Sequence, residues 1–410
     1  MQLLKLSTIF LLTVLALFPS HSFSDEGQGE IGDLSLEELL NVEIVTGASK
    51  YQQSLRKVPA SVTVVTRQEI QRLGFRNLMD VVRSVRGFSA MYDRNYEYLG
   101  VRGYIANGNY NTNVVVMVDG HRANESVYDS FGLLENFVVD LDDIERIEFI
   151  RGPASSVYGN NALFGVINVV TREISKNQFE SKTDYGSFDR FKQKVAYQGL
   201  LGDWKFRISA SYFDSDGDKD LYYKEFDDPD TNDGRAENAD YERATKSFVR
   251  AKNKNWEFEF LFVNRAKGIP TASYETRFND ERTSTVDEKT TAFLRYNNDI
   301  VKDLNFSAKL SWDEAKYDGI YVYDDDPDYI NIDRSLGESA GLEVSLVSRQ
   351  LSNQILSFGG EYFDHYHMSQ SNQDNPGTFN LDVNKPRSSW GVYLNDEVSV
   401  FEKWVFNIGG

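Results

Sequence analysis

The second half of the chain alternates apolar and polar residues, and this feature most constrains the fold. In "WKFRISASYF" the side chains of Trp204, Phe206, Ile208, Ala210 and Tyr212 fall on one face of a strand. "NWEFEFLF" and "LNFSAKLSW" repeat the pattern, with aromatic residues at the ends of the apolar face. Alternation over about ten residues with aromatic ends is typical of an outer-membrane β-barrel. We therefore predict a large antiparallel transmembrane barrel over residues 176–410.

The connections between the predicted strands alternate in length. Short connections are centred on "GLLGD", "AKNKN", "DIVKD", "RQLSN" and "SVFEK", and long ones lie around 214–242, 265–288, 316–336 and 369–386. Short periplasmic turns and long external loops give this rhythm. A soluble β-sandwich is the alternative, but aromatic residues at the ends of the apolar face suit a lipid interface better. About eleven strands precede Gly410.

Residues 1–24 have the pattern of a secretory signal peptide. Lys5 precedes an apolar run from Leu6 to Phe18, and small residues lead to an expected cleavage after Ser24. An uncleaved anchor is the alternative, although the run is shorter than the roughly 20 residues that a spanning helix needs.

Residues 25–175 are predicted to be mixed α/β, with an N-terminal extension over 25–50 and a compact domain over 51–175. Thr66 and Glu69 form the pattern of a capping box, and Gly74 ends that helix. Asn77 caps a second helix. "VVVMV", "IERIEFIRG" and "GVINVVT" are predicted to be buried strands.

Composition excludes several classes of function. The net charge of −19 argues against nucleic-acid binding, and the absence of Cys excludes disulfides and thiolate chemistry. No nucleophile elbow, Walker loop or HExxH motif is present, so we expect neither an enzyme nor a cofactor. The acidic loop around Gly217 does not fit a calcium loop, and His365 with His367 gives a less favoured haem or metal alternative.

Four segments carry a family resemblance: "PASVTVVTRQEI", "YEYLGVRGY", "VVVMVDGHR" and "IERIEFIRGPASSVYGNNALFGVINVVTR". With them the chain resembles the TonB-dependent outer-membrane receptors. The resemblance implies a barrel of about 22 strands whose lumen holds the N-terminal domain as a plug. About half of those strands are present, so we expect a partial receptor, since an open half-barrel would expose two edges to lipid. The implied location is the outer membrane of a Gram-negative bacterium.

The resemblance also implies roles for particular plug residues. Its arginines face glutamates on the barrel wall, and the residues carried over for docking are Arg102, Gly103, Glu148, Arg151 and Gly152. The energy-coupling box falls on Asn41, Val42, Glu43, Ile44, Val45 and Thr46. An extended box would add as a strand to the TonB-type energy-transducing inner-membrane complex. The alternative is that Val42–Val45 is the first strand of the plug.

The ligand would bind where the plug loops meet the external loops. The predicted contacts are Tyr92, Arg94, Tyr96, Tyr110, Arg122 and Tyr128. The implied function is energy-coupled uptake of a scarce small-molecule ligand, above all a ferric siderophore. The alternatives are a vitamin, haem or carbohydrate taken up by the same mechanism, a passive porin-like barrel, or a truncated receptor without function.

Overall fold

A computed structural model of the protein describes residues 44–45, 53–54, 61–105, 108–152, 161–324, 329–400 and 404–410. The predicted signal peptide and most of the predicted coupling box lie outside these residues. Within the box, strand β1 (Ile44–Val45) pairs antiparallel with β2 (Gln53–Ser54). Among the described helices, none has the length and apolar character needed to cross a membrane.

The N-terminal domain is built on a five-stranded sheet with two short helices. The sheet strands are β3 (Ser61–Thr66), β6 (Val114–Val118), β7 (His121–Arg122), β8 (Ile144–Arg151) and β9 (Gly165–Thr171). Their spatial order is β3-β8-β9-β6-β7, in which β6 and β9 are parallel and the other neighbours antiparallel. A separate hairpin is formed by β4 (Phe88–Tyr92) and β5 (Glu97–Val101).

The predicted helix signals are confirmed. Helix α1 (Arg67–Leu73) begins with a capping box of Thr66 and Glu69 and ends at Gly74, which has a φ of 68°. Helix α2 (Leu78–Ser84) is capped by the side chain of Asn77, and its apolar stripe is buried. These helices cover the sheet, so the domain has a core of its own. The most buried members of that core include Val81, Val82, Val116, Leu133, Ile147 and Phe149.

The rest of the chain forms one antiparallel sheet of twelve described strands. They are β10 (Gln178–Gly186), β11 (Arg190–Leu201), β12 (Trp204–Ser215), β15 (Glu242–Lys252), β16 (Trp256–Gly268), β17 (Ser284–Val301), β18 (Leu304–Tyr323), β19 (Tyr329–Ser348), β20 (Gln354–Asn375), β21 (Phe379–Asn384), β22 (Arg387–Val400) and β23 (Trp404–Gly409). Each strand pairs with the next one in this series up to β20. Both β21 and β22 then pair with β20, and β23 pairs with β22. A small external hairpin, β13 (Asp220–Tyr222) and β14 (Arg235–Glu237), lies between β12 and β15.

This sheet buries its polar face and exposes its apolar face. On β12, Arg207 and Ser209 are buried, whereas Ile208 and Tyr212 are exposed. The buried face is turned toward the N-terminal domain, and Phe248 from β15 joins the core of that domain. A soluble sandwich would bury the apolar face, so the inverted pattern supports the predicted barrel with a plug inside it.

Candidate ligand cavity and plug contacts

A cavity of about 620 Å³ lies between the plug and the long-loop ends of the barrel strands. Nine tyrosines line it: Tyr96, Tyr98, Tyr110, Tyr128, Tyr274, Tyr317, Tyr321, Tyr323 and Tyr329. Four come from the plug and five from β18, β19 and the loop before β17. The cavity is therefore shared between the two parts of the molecule, as binding clefts at domain interfaces usually are.

The tyrosines form an ordered aromatic surface. The rings of Tyr110 and Tyr128 stack with their centroids 5.0 Å apart. The rings of Tyr323 and Tyr329 also stack, with their centroids 5.0 Å apart. Stacked rings keep flat faces in fixed positions, and their hydroxyls can still form hydrogen bonds with a ligand.

Carboxylates outnumber cations in the cavity lining. Six acidic side chains contribute: Glu97, Glu125, Asp287, Glu288, Asp333 and Asp374. The basic residues of the lining are Lys289 and Lys316. Lys316 Nζ lies 2.6 Å from a carboxylate oxygen of Glu314 and 3.3 Å from one of Glu288, and Lys289 donates to the carbonyl oxygen of Ala123. Both lysines are thus already bonded to acceptors of the protein.

Glu97 is the most unusual of these acids. Its side chain is buried, and Oε1 accepts hydrogen bonds from the backbone N–H groups of Leu133 and Leu134. Oε2 has no hydrogen-bond partner in the described part of the chain. Burial raises the pKa of Glu97 to about 7, although the charge of Arg265 opposes that shift.

Three of the six predicted ligand contacts line the cavity, namely Tyr96, Tyr110 and Tyr128. The others have partners elsewhere. Tyr92 donates to the carbonyl oxygen of Arg94, and Arg94 pairs with Asp240 at 3.1 Å. Arg122 pairs with Asp129 at 3.5 Å. A ligand contact by any of the six stays a prediction.

Sequence reasoning missed the tyrosines from the barrel side of the cavity. "YDGIYVYDDDPDY" places Tyr317, Tyr321, Tyr323 and Tyr329 among acidic residues. Strand alternation accounts for each of these tyrosines taken singly, so no one of them stands out as a ligand contact. The signal that could have found them is their density at the end of a long connection, where external loops meet the plug.

The plug is held against the barrel by acidic residues of the segment before β8. Asp143 contacts Lys194 at 2.7 Å and Arg207 at 2.7 Å, and these side chains are almost fully buried. Asp140 contacts Lys192 at 2.7 Å. One turn of 3-10 helix (Leu141–Asp143) brings both carboxylates to the barrel wall.

The charges of the barrel keep these plug carboxylates ionised. Burial alone would raise the pKa of Asp140, but Lys194 and Lys192 hold it well below its usual value. Glu135 pairs with Lys246 at 3.0 Å. Burial alone would raise the pKa of Glu135, but the charge of Lys246 lowers it below its usual value. At these contacts the plug supplies the carboxylates and the barrel supplies the basic side chains.

A plug arginine that faces a barrel glutamate is found at Arg172, which contacts Glu180 of β10 at 2.7 Å, whereas the described contacts of the predicted Arg151 lie within the plug. Arg151 donates instead to plug atoms, namely the carbonyl oxygen of Arg86 at 2.7 Å and the hydroxyls of Ser61 and Thr63. Glu148 is buried and accepts hydrogen bonds from Arg146 and Asn168, so it too is bound inside the plug.

The remaining predicted docking residues lie where the backbone turns. Arg102 is exposed and has a φ of 55°, and the glycines that follow the two predicted arginines, Gly103 and Gly152, also have positive φ. Docking of these residues to a barrel wall stays a prediction. Further contacts between plug and barrel are made by the loops around Asn95 and Gly120 and by the end of β9, where Arg250 donates to Thr171 and Arg172 contacts Glu180.

The plug matches a known family. Residues 54–166 match the family described as TonB-dependent Receptor Plug Domain. Over 134 residues, which are 32% of this chain and 20% of the other protein, the sequence is 33% identical to an iron-regulated outer membrane virulence protein of Vibrio cholerae serotype O1.

Solved structures match the fold over most of the chain. The pyoverdine outer membrane receptor of Pseudomonas aeruginosa PAO1 has a TM-score of 0.69 at 15% identity, covering 90% of this chain and 58% of that receptor. The ferric yersiniabactin uptake receptor of Yersinia pestis has a TM-score of 0.58 at 14% identity, covering 85% and 64%. The chain thus spans little more than half the length of these relatives. Residues 54–166 thus match the plug domain of the TonB-dependent receptors, and the chain as a whole has the fold of a plug with part of an antiparallel barrel seen in these solved structures.

Proposed function

We propose that this protein takes up a scarce small-molecule ligand across the outer membrane, and that the ligand is a ferric siderophore. The observation that carries the proposal is the cavity that the plug and the long-loop ends of the barrel form together. A ligand bound there contacts both the plug and the wall, so its binding can be coupled to movement of the plug.

The plug contacts fit a coupled receptor better than a passive pore. Asp143, Asp140 and Glu135 hold the plug through buried ion pairs, and such pairs fix one arrangement of two surfaces. A passive pore needs an open lumen. Energy would come from a TonB-type complex that binds the segment around Ile44 by strand addition.

The names of similar proteins support iron as the cargo. The curated relative is named as iron-regulated, and the structural neighbours are receptors for pyoverdine and ferric yersiniabactin. A vitamin, haem or a carbohydrate remains the alternative cargo for the same mechanism.

The test compares a deletion strain with the same strain carrying the gene on a plasmid. We expect the deletion to reduce growth under iron limitation and uptake of radiolabelled iron from at least one ferric chelate. We also expect a protonophore, which collapses the inner-membrane proton gradient, to stop this uptake. Uptake that persists with the protonophore would support a passive pore, and unchanged iron uptake in the deletion strain would contradict the siderophore assignment.

A further inference from the structure

The charge of the cavity restricts which chelates it can take. Six carboxylates and two lysines line it, and both lysines are bonded within the protein. Arg265 lies behind Tyr96, where it pairs with Glu242 at 2.6 Å. Among the described residues of the lining, an anionic ligand would therefore meet an excess of carboxylates, and it would compete with protein acceptors for both lysines.

Two of these carboxylates, those of Asp333 and Asp374, lie at the long-loop end of the cavity. Asp374 is contacted by Asn331 at 2.7 Å and by Asn380 at 3.0 Å, and Asp333 by Asn372. Amide partners are neutral, so they orient the carboxylates without supplying a positive counter-charge. A low-dielectric wall concentrates such a field inside a cleft.

The aromatic surface favours the same sign of ligand charge. Tyr274 is 77% exposed and Tyr110 is 55% exposed, so both rings offer area to a ligand. Aromatic faces attract cations and tolerate neutral groups, and tyrosine hydroxyls and carboxylates accept hydrogen bonds from amines, amides and hydroxyls. The buried carboxyl of Glu97, one of the six acids, has an Oε2 without a partner among the described residues, and this atom can accept a hydrogen bond or, in the neutral acid, donate one.

We propose that the cavity selects neutral or positively charged ferric complexes that carry N–H or O–H donors, and that it rejects complexes of net negative charge. The inference rests on the proposed function and adds the class of chelate to it. Three hydroxamates neutralise a ferric ion, and a pendant amine makes the complex cationic. Three catecholates leave the complex trianionic. Hydroxamate-type chelates are thus the expected cargo.

The experiment measures binding to the purified protein in detergent by quenching of its intrinsic fluorescence. The probes are a ferric tris-hydroxamate with a pendant amine, a neutral ferric tris-hydroxamate and a ferric tris-catecholate of similar size. We expect both hydroxamate complexes to bind at least about tenfold more tightly than the tris-catecholate, because like charge is repelled in a confined site. We expect the affinity for the cationic complex to fall with salt.

The variant Asp333→Asn with Asp374→Asn tests the cause of the preference. We expect it to reduce the ratio of the two affinities by about tenfold. The matched control, Glu225→Gln with Asp230→Asn, removes the same charge from an exposed external segment outside the cavity lining and should leave the ratio unchanged.

Three results would contradict the inference, and they differ in what they mean for the proposed function. Tris-catecholate binding as tight as that of the hydroxamates would contradict the charge selection and leave iron uptake standing. Failure of all three complexes to bind would contradict both proposals. An equal effect of the two double variants would show that the carboxylates of the cavity do not set the preference.

Discussion

Arg207 of the barrel wall donates two hydrogen bonds to one carboxylate oxygen of Asp143 in the plug, from Nε at 2.9 Å and from Nη2 at 2.7 Å. The second oxygen of Asp143 accepts from Ser209 and contacts Lys194. A buried carboxylate with this many partners holds the plug in one position relative to the wall.

Replacing Asp143 by Ala should loosen the plug. The change leaves Arg207 and Lys194 buried without this counter-ion, and breaking such a pair from one side costs about 3 kcal/mol. Hydrogen exchange of the β8 amides should speed up accordingly. Asp142→Ala is the control, because its partner Lys182 is half exposed and an exposed pair contributes less than about 1 kcal/mol. Equal protection of β8 in both variants would contradict the docking role.

Glu97 should make the plug less stable as the pH rises. The pKa of its carboxyl is about 7 in the folded protein against 4.5 in the unfolded chain, so the folded state favours the neutral acid. The penalty is absent below pH 4.5, grows as the pH rises from 4.5 through 7, and reaches about 3 kcal/mol above that range. The measurement is the difference in free energy of unfolding between wild type and Glu97→Gln at pH 5 and at pH 8.

In that comparison the variant should gain stability relative to wild type at the higher pH. Other carboxylates titrate equally in both proteins, so the difference isolates Glu97. A difference that stays constant between the two pH values would contradict the raised pKa.

Ile44→Pro should abolish energy-coupled uptake and leave binding of the ligand intact. Proline lacks the N–H group that a strand added to a partner needs. Ile44→Val is the control, because valine keeps both the backbone donor and the extended preference. Uptake by the proline variant at the wild-type rate would remove this segment from the coupling mechanism.

Tyr110→Ala should weaken binding of a ferric tris-hydroxamate without destabilising the plug. The ring stacks on Tyr128 and is more than half exposed, so it offers a face to the ligand. Its loss should reduce the binding free energy by about 1 kcal/mol, which is roughly fivefold in affinity. Tyr185→Ala, an exposed tyrosine outside this cavity, is the control and should bind as wild type does.

Gly165→Ala should destabilise the plug sheet. A methyl group at this position would collide with the carbonyl oxygen of Ile150 on β8, and overpacking of this kind costs about 1–3 kcal/mol. Gly186→Ala on β10 is the control, since the nearest atom to its added methyl is 4.0 Å away. The midpoint of denaturant unfolding should fall in the first variant alone.

Local patterns predicted the fold well because alternation and capping are properties of neighbouring residues. The alternation around Arg207 and Ile208 predicted a barrel strand, and β12 buries its polar face and exposes its apolar face as such a strand should. The capping pattern of Thr66 and Glu69 predicted the start of α1. The docking charges were not predictable in the same way. "VVDLDDIER" has the composition of a solvated turn, and the partner of Asp143, Arg207, lies 64 residues further along the chain. Only the tertiary fold brings them together.

The strand order of the plug also determines how it would respond to mechanical load. Among the described residues, β3 is an edge strand that pairs with β8 alone, through the six residue pairs from Ser61–Arg151 to Thr66–Arg146 and the hydrogen bonds from Arg151 to Ser61 and Thr63. Tension that enters at Ser61 must cross this seam before it reaches β8 and the ion pair of Asp143. The central strands β8, β9 and β6 lie beyond the seam. Under tension the plug sheet would therefore lose the edge strand β3 first, while its central strands remain assembled and anchored to the wall.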